Sequence, residues 1–586
     1  MASTFFGLNI GKSGLNAYQI GINTTAHNVS NAETTGYTRQ IVNKQASIPL
    51  SVGSRYGMVG TGVDVTSITQ VRNQYLDEKY TFNNTLSGEY STKSYYMSEV
   101  ESYFNEVTVE GFTTNFDNMY NALQSLSTNP SNGTTRTQVT TYAQNLTEYL
   151  NSLSTSLSSI QEECNTEVKN IVDRINSIGA QISVLTQQIN SVEVNGEAAN
   201  DLRDQRALLV DELSEYVTVE VTEKAVGKSE TGVTQYVVKI NGQTLVDTDR
   251  YNQLTYSVRD TTTNLNDVEG LYDIKWSTGV DFNAMGTNVT GSLKAVLQMR
   301  DGNNSENLKG VASGTKGDST LKLTGTTIND IDKLNISSEG VITIDAKEYK
   351  YTDFKVTVGD DGNYVYEFAL EKPLEQDITG TKIGTVGDEV DYKGIPYYMS
   401  QLNEFVRVYA QKFNDIHKSG VDLNGNKGLD FFVGTAADGT VYTFKNPSSY
   451  YQLNIGNITV NDIVATDPDR VVTFSSTSSG VENTDILKQL IGLKSDTSMF
   501  KQGNPASFFQ TMVAEIGVYT KSAISLAKNQ EDICKSIQNQ RLSVSGVDLD
   551  EEALNLVKYQ NCYNLSAKVI SVMDEILDRL INNTGV

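Results

Sequence analysis

Histidine and cysteine are nearly absent from this sequence: 586 residues contain two His (His27 and His417) and three Cys (Cys164, Cys534 and Cys562). So few soft ligands argue against zinc, haem and iron–sulfur chemistry and against His-based nucleophilic catalysis. An odd, widely spaced set of thiols does not build a disulfide framework, and each Cys reads as a small apolar residue in a helical segment. Basic residues are also short, with 46 Lys plus Arg against 71 Asp plus Glu and a formal charge of −25. Such a chain has no general attraction to nucleic acid or anionic lipid. No run approaches the ~18–20 apolar residues of a membrane span. The opening MASTFFGLNIGKSGLNAYQIG lacks a basic segment followed by an unbroken apolar one, so no cleavable secretory signal is expected. Proline is scarce, seven in all with none between Pro130 and Pro373, which permits long helices.

What is there is rhythm. From Leu146 to Val192 apolar residues step by four and three: Leu146, Leu150, Leu153, Leu157, Ile160, Cys164, Val168, Ile171, Ile175, Ile178, Ile182, Leu185, Ile189, Val192. A 3.5-residue period marks a coiled-coil seam, and the extra four-step around Cys164 reads as a stutter. At 1.5 Å per residue this segment predicts a rod ~70 Å long. The rhythm returns at Phe509, Met512, Ile516, Tyr519, Ala523, Leu526, Gln530, Ile533 and Ile537. After a break at 543–546 it resumes at Leu556, Tyr559, Tyr563, Ser566, Ile570, Met573, Leu577 and Leu580. Val569, Val572 and Ile576 widen that last stripe, which therefore meets more than one neighbour. At the other end Leu8, Gly11, Leu15, Tyr18, Ile22, Thr25 and Val29 take the same steps, and a further helical stretch covers about 71–126.

Between the helical ends the pattern turns to strands, with alternation at 217–221, 236–240 and 253–258 and an Asn241-Gly242 turn. A second β-like block, 303–387, has Gly-, Ser- and Lys-rich stretches at 303–317 and 380–387. These read as flexible flanks of an inserted module. Residues 395–418 return to helix and 435–479 to strands and loops. The run Asp422-Leu-Asn-Gly-Asn426 has calcium-loop spacing, but Lys427 and Val433 stand where an EF-hand needs Gly and a bidentate Glu, so it reads as a polar turn. Gly60-Thr-Gly62 lacks the Lys-Ser/Thr of a phosphate cradle. His417, alone after a helix, reads as a surface or capping residue. No catalytic constellation and no cofactor or metal site emerges.

The informative segment is NVSNAETTGYTRQ, residues 28–40. Asn28, Ser30 and Asn31 can bond local backbone and stop the first helix, Gly36 permits a positive-φ turn, and Tyr37 offers a large anchor with a polar tip. This segment resembles the N-terminal motif of bacterial flagellar axial proteins of the rod, hook and hook-junction class. The matching residues are Ala26, Asn28, Val29, Ser30, Asn31, Thr35, Gly36, Tyr37, Arg39 and Gln40, with His27 where Asn is common. Residues 200–221 (NDLRDQRALLVDELSEYVTVEV), 291–301 (GSLKAVLQMRD), 422–432 (DLNGNKGLDFF) and 545–582 are similar to the hook-associated protein 1 family. Residues 303–387 lie outside the resemblance.

The residue pattern and the resemblance together lead to the expectation of an α+β multidomain protein with a terminal α-helical coiled coil, a long helical-bundle or rod domain, and β-rich outer domains including the inserted module. The expected divisions are 1–70 (coiled-coil helix and extended arm), 71–215 (helical rod), 216–302 (β-rich), 303–390 (inserted β module), 391–434 (helix and loop returning to the rod), 435–500 (β and loop), 501–543 (rod helix) and 544–586 (C-terminal coiled-coil helix). The resemblance implies a non-enzymatic subunit of the flagellum, outside the cell, forming the ring that joins the hook to the next junction protein and the filament. Implied partners are further copies of the chain, the hook protein, hook-associated protein 3, and a cytoplasmic export chaperone for the C-terminal helix. Nucleic acid and membrane insertion are not implied. Export through the flagellar type III apparatus, from a transient cytoplasmic pool, completes the expectation. The alternatives are another axial protein of hook or rod, or a flagellar scaffold carrying an enzyme in the insert. The assembly seam and motif fall on Leu8, Leu15, Tyr18, Ile22, Asn28, Val29, Asn31, Gly36, Tyr37, Arg39, Leu556, Tyr559, Tyr563, Ile570, Met573, Leu577 and Leu580.

Overall fold

A computed structural model of the chain describes residues 6–582 apart from 52–56, 106–110, 227–232, 360–361, 437, 446, 477–479 and 481. The ends of the two expected terminal divisions, 1–5 and 583–586, thus lie outside the described residues, as do 360–361 of the insert. The fold is α+β. Helix α1 (Phe6–Ser30) leads into a long antiparallel hairpin of β1 (Gln40–Ala46), β2 (Leu50–Ser51), β3 (Met58–Val59) and β4 (Val63–Gln70). Four helices follow: α2 (Gln74–Phe104), α3 (Phe112–Thr128), α4 (Gly133–Glu193) and α5 (Asn200–Tyr216). The single stretch expected over 71–126 is therefore two helices, split between Phe104 and Phe112.

Helix α4 is the spine. Asn132 starts it by accepting hydrogen bonds from the N–H groups of Thr134 and Thr135, and it runs 61 residues, about 90 Å at 1.5 Å each. Its stepped residues from Leu146 to Ile189 are buried, apart from Leu185, but not against one coiled-coil partner. Its neighbours change along its length: α3 first, then α6 (Ser292–Asp301) near Gln161, the pair β9 (Leu254–Val258) and β10 (Tyr272–Trp276) at Asn165 and Asn176, α5 at Arg174, and towards its end the four-stranded sheet β5 (Val219–Ala225), β6 (Thr234–Ile240), β7 (Gln243–Asp247) and β8 (Arg250–Tyr251). The 3,4 rhythm reports a buried stripe, and here several short elements share it.

Residues 309–386 close into an antiparallel six-stranded barrel: β11 (Lys309–Ser313), β12 (Thr320–Thr324), β13 (Gly340–Ile344), β14 (Lys347–Val358), β15 (Tyr364–Leu370) and β16 (Ile383–Val386), in the order β11-β12-β15-β14-β13-β16. The stretches expected as flexible flanks contribute β11 and β16. At Gly310 and Gly384 a Cβ would come within 2.8 Å of Thr326 and 2.7 Å of Leu323, so a larger residue there would have to displace its neighbour. The barrel has a core of its own, around Leu321, Leu323, Ile342, Tyr366 and Phe368, distinct from the body's.

The chain re-enters the body through α7 (Ile395–Lys418), β17 (Phe432–Gly434), β18 (Ile458–Val460), α8 (Asp462–Thr466) and α9 (Asp485–Gly492), and ends in α10 (Pro505–Ser545) and α11 (Leu549–Asn582). The expected surface position for His417 is overturned. It is fully buried, its Nδ1–H donating to the Leu429 carbonyl (2.7 Å) and its Nε2 accepting from the Val472 N–H (3.1 Å). Acceptance at Nε2 requires the neutral ring, and burial pushes the imidazole down to about 4. The 422–426 turn is closed by Asp422, which accepts from the N–H groups of Asn424 (2.9 Å) and Asn426 (2.7 Å) and pairs with Arg470 (3.2 Å). Along α10, Tyr519, Leu526 and Ile533 face solvent, whereas Thr520, Gln530 and Cys534 face α2.

Candidate assembly interface

The two ends of the chain pair. Helices α1 and α11 run antiparallel, and what α1 offers its partner is glycine. A Cβ at Gly7 would stand 2.7 Å from Met573, at Gly11 2.8 Å from Ile570, at Gly14 2.8 Å from Ser566 and at Gly21 3.0 Å from Tyr559. The bulky α11 side chains lie directly on the α1 backbone. Leu8, Leu15, Tyr18 and Ile22 are half-buried beside this stripe, and Val29 is exposed. On α11, Tyr559, Tyr563, Ile570, Met573 and Leu577 are half-buried, while Leu556 and Leu580 are exposed. Tyr18 and Tyr559 have ring centroids 6.4 Å apart, and Lys44 from the hairpin lies over both rings, at 4.8 and 4.2 Å.

Below this pair a polar joint ties the ends to the body. Asn28 is buried at the end of α1. Its Nδ2 donates to the Gln40 carbonyl (2.9 Å), and its Oδ1 accepts from the Gln40 N–H (3.0 Å) and the Tyr37 hydroxyl (2.8 Å). Asn28 thus pins the arm to the helix it leaves, and Gly36 (φ +80°) makes the turn between them. Asn31 Nδ2 bonds back to the His27 carbonyl (3.0 Å). The arm then reaches α5: Asp204 accepts from the Thr38 N–H (2.9 Å) and hydroxyl (2.7 Å), and Gln40 donates to Asp201 (2.7 Å). Burial raises the Asp204 carboxyl, opposed by the Thr38 bonds and by Arg72. Arg39 reaches the opposite way. Its N–H donates to the Ser545 carbonyl at the end of α10 (2.8 Å), and its guanidinium pairs with Glu551 in the first turn of α11. Arg541 closes the joint on Asp211 (2.8 Å) and Asp77 (3.0 Å). Asp201, Asp204, Asp211 and Arg541 were not foreseen as site residues. The segments 28–40 and 200–221 stood out separately, but nothing local in either says that they meet.

The outer side of α11 is apolar and uncovered. Leu554 is 73%, Leu565 66% and Val557 56% exposed, and Val572 and Ile576 continue the stripe, while Val569 flanks the seam beside Gly11 of α1.

The family described as flagellar hook-associated protein FlgK helical domain matches residues 97–340 and 322–432, more than half of the chain. The chain belongs to the FlgK family of flagellar hook-associated proteins. The ends match two related descriptions, flagella basal body rod protein over 8–38 and flagellar basal body rod FlgEFG protein C-terminal over 538–583. These are the α1 segment with its turn, and α11 with the last turns of α10. Flagellar hook-associated protein 1 of Bacillus subtilis (strain 168) is 27% identical over 594 residues, covering 100% of this chain and 99% of the relative. That of Escherichia coli (strain K12) is also 27% identical, covering 98% and 99%. A solved structure, the flagellar hook junction protein FlgK from Burkholderia pseudomallei, aligns with 80% of this chain and all of its own at 15% identity and a TM-score of 0.46. As a FlgK-family member the protein is a structural subunit of the flagellar hook–filament junction, exported and built into the flagellum. Among the described residues no helix is long and apolar enough to cross a membrane.

Proposed function

We propose that the paired ends are the polymerising unit of the junction ring and that the outer stripe of α11 is where one copy meets the next. The uncovered Leu554, Val557, Leu565, Val572 and Ile576 carry this reading: a helix already satisfied by α1 on one side has no need of a second apolar side within the subunit. Each such side chain removed from water contributes roughly 1.5–3 kcal/mol, and the gain repeats at every contact around a ring. The seam residues Leu8, Leu15, Tyr18, Ile22, Tyr559, Tyr563, Ile570, Met573 and Leu577 hold the subunit's own two ends together, and residues 28–40 orient the pair on the body. Residues 1–70 and 544–586 form the inner division and the barrel, within 303–390, an outer one. The ring seats on the hook protein and receives hook-associated protein 3. An export chaperone covers α11 before the chain leaves through the flagellar type III apparatus. The protein has no catalytic role.

The test places a charge on the outer stripe. Val572→Asp should leave the melting of the purified subunit unchanged and abolish its incorporation at the hook tip, with filament subunits shed into the medium. Normal incorporation of a stably folded Val572→Asp subunit refutes the reading.

A further inference from the structure

The barrel meets the body through polar groups and one aromatic contact, Phe354 edge-on to Tyr451 at 5.1 Å. Its core and the body's have no residue in common, and its seat is the 3₁₀ turn Ile331–Lys333 with the strand-like segment after it, lying on α7. Arg407 of α7, fully buried, is the pivot of the seat. Its Nη1 donates to the carbonyls of Asp332 (2.9 Å) and Leu334 (2.7 Å), its Nε to that of Leu453 (2.9 Å) and its Nη2 to that of Tyr451 (3.0 Å). Tyr451 lies under the guanidinium at 5.1 Å, and its hydroxyl donates to the Ile336 carbonyl. Every hydrogen bond described for Arg407 goes to backbone.

The carboxylates of the seat are crowded instead. Asp332 Oδ1 is buried with no hydrogen-bond partner among the described residues. From the barrel side Asp330 faces it, capping the turn through the Asp332 N–H (3.1 Å), with Lys333 and Tyr364 alongside. From α7 come Glu404 and Arg407. Glu404 is itself buried, 3.5 Å from Lys333 and within reach of the charge of Glu306 ahead of the barrel. Tyr451 approaches from its own turn.

We propose that the barrel's seat on α7 is proton-gated: it is tight while the Asp332 carboxyl is neutral and loosens when that carboxyl ionises. A neutral acid relieves the repulsion from Asp330 and Glu404 and leaves the Arg407 hydrogen bonds to the backbone carbonyls untouched. Burial, then the charge of Asp330, opposed by Arg407, lifts Asp332 to about 6. A carboxyl raised in the seated state and ordinary in the released one strengthens seating below its ordinary value of 3.8. That strengthening is lost as pH rises through about 6. A lift from 3.8 to about 6 corresponds to a change in the seating equilibrium on the order of 100-fold across that window.

Hydrogen exchange of the full chain, corrected for intrinsic rates, tests this at residues 331–337. Protection in the wild type should fall at least tenfold between pH 5 and pH 8, with the step near pH 6, while that of α4 stays level. Asp332→Asn, which keeps the shape and the backbone bonds, should hold high protection at both pH values. Glu404→Gln should retain the step and move it to lower pH. A wild-type chain with no step at 331–337 overturns the proposal even if no variant folds. So does an Asp332→Asn chain that loses protection in parallel with the wild type.

Discussion

Two helix pairs close this molecule, each joining an early helix to a late one, and they are built on opposite terms. Between α2 and α10 large side chains disappear: Met97, Val100 and Phe104 on one side and Phe509, Met512 and Ile516 on the other are buried, continuous with a cluster in which Phe112 stacks on Phe509 at 4.3 Å. Between α1 and α11 no large apolar side chain is buried among the described residues. The buried positions of α1 are Gly11, Gly14, Ala17, Gly21, Thr24, Thr25 and Asn28, and α11 buries only Glu552. The first pair is a finished core. The second is close contact without enclosure, held by backbone proximity, one lysine over two tyrosines and the joint around Asn28. A seam of that kind orders two helices while leaving most of their apolar surface available to another molecule.

The sharpest way to break the comparison is in the cluster that continues the finished pair. Phe112→Ala removes a ring packed against Phe116, Phe405 and Phe509 and should cost about 3–5 kcal/mol. Calorimetry should show the loss in the body transition, with exchange rates of α1 and α11 at room temperature unaltered. Acid separates the regions next. His417 is lowered by burial to about 4 from an ordinary 6.5. Its contribution is complete above pH 6.5 and is lost as pH falls towards about 4, some 3 kcal/mol in all, again from the body alone. With two histidines in the chain, the imidazole resonance of His417 can be followed directly, and a midpoint near 6.5 contradicts its sealed position. In the open pair, Gly11→Leu forces a side chain into Ile570 and should cost about 1–3 kcal/mol, enough to part α1 from α11. Fast exchange in both helices, with body melting unchanged, is the expected signature. Lys44→Met should have the smallest effect, about 0.5–1 kcal/mol, because it removes only the cation over Tyr18 and Tyr559. Faster exchange confined to β1 and β4 is the measurable consequence.

Reading these regions in sequence succeeded where a single stripe of large residues decides the outcome. The buried row of α4 is plain in the order of residues, because each step of three or four adds another Leu, Ile or Val. The seam of α1 was only half visible. Leu8, Leu15 and Ile22 drew the eye, while Gly7, Gly14 and Gly21 beside them make the close approach. Glycine reads as a helix breaker until the partner helix is present. For α10 the expected stripe runs through Tyr519, Leu526 and Ile533, but packing on α2 buries Thr520 and Cys534 beside them. His417 could not be placed, since its partners Leu429 and Val472 lie 12 and 55 residues away and bond through backbone that any residue carries. The joint follows the same logic. Thr38 and Asp204 are 166 residues apart, and their meeting is a property of the assembled body.

The way the barrel is hung on the chain also has a mechanical meaning. The polypeptide leaves the body at Gly302 and returns at Gly394, and these two residues are bonded to each other, the Gly394 N–H donating to the Gly302 carbonyl (3.2 Å). The first and last strands beyond them are antiparallel neighbours, with Lys309 opposite Thr385. Tension along the chain therefore pulls β11 and β16 apart from one end, and their hydrogen bonds bear the load one rung at a time. A chain drawn lengthwise through a narrow opening meets this barrel as a zipper, although the same strands would resist strongly if loaded in parallel. Optical-trap handles at residues 302 and 394 should open the barrel at a small fraction of the force needed with handles at 302 and 347. On the proposed export route, a subunit that passes unfolded and then stands folded in the flagellum gains from a domain that is weak along its own chain and strong across it.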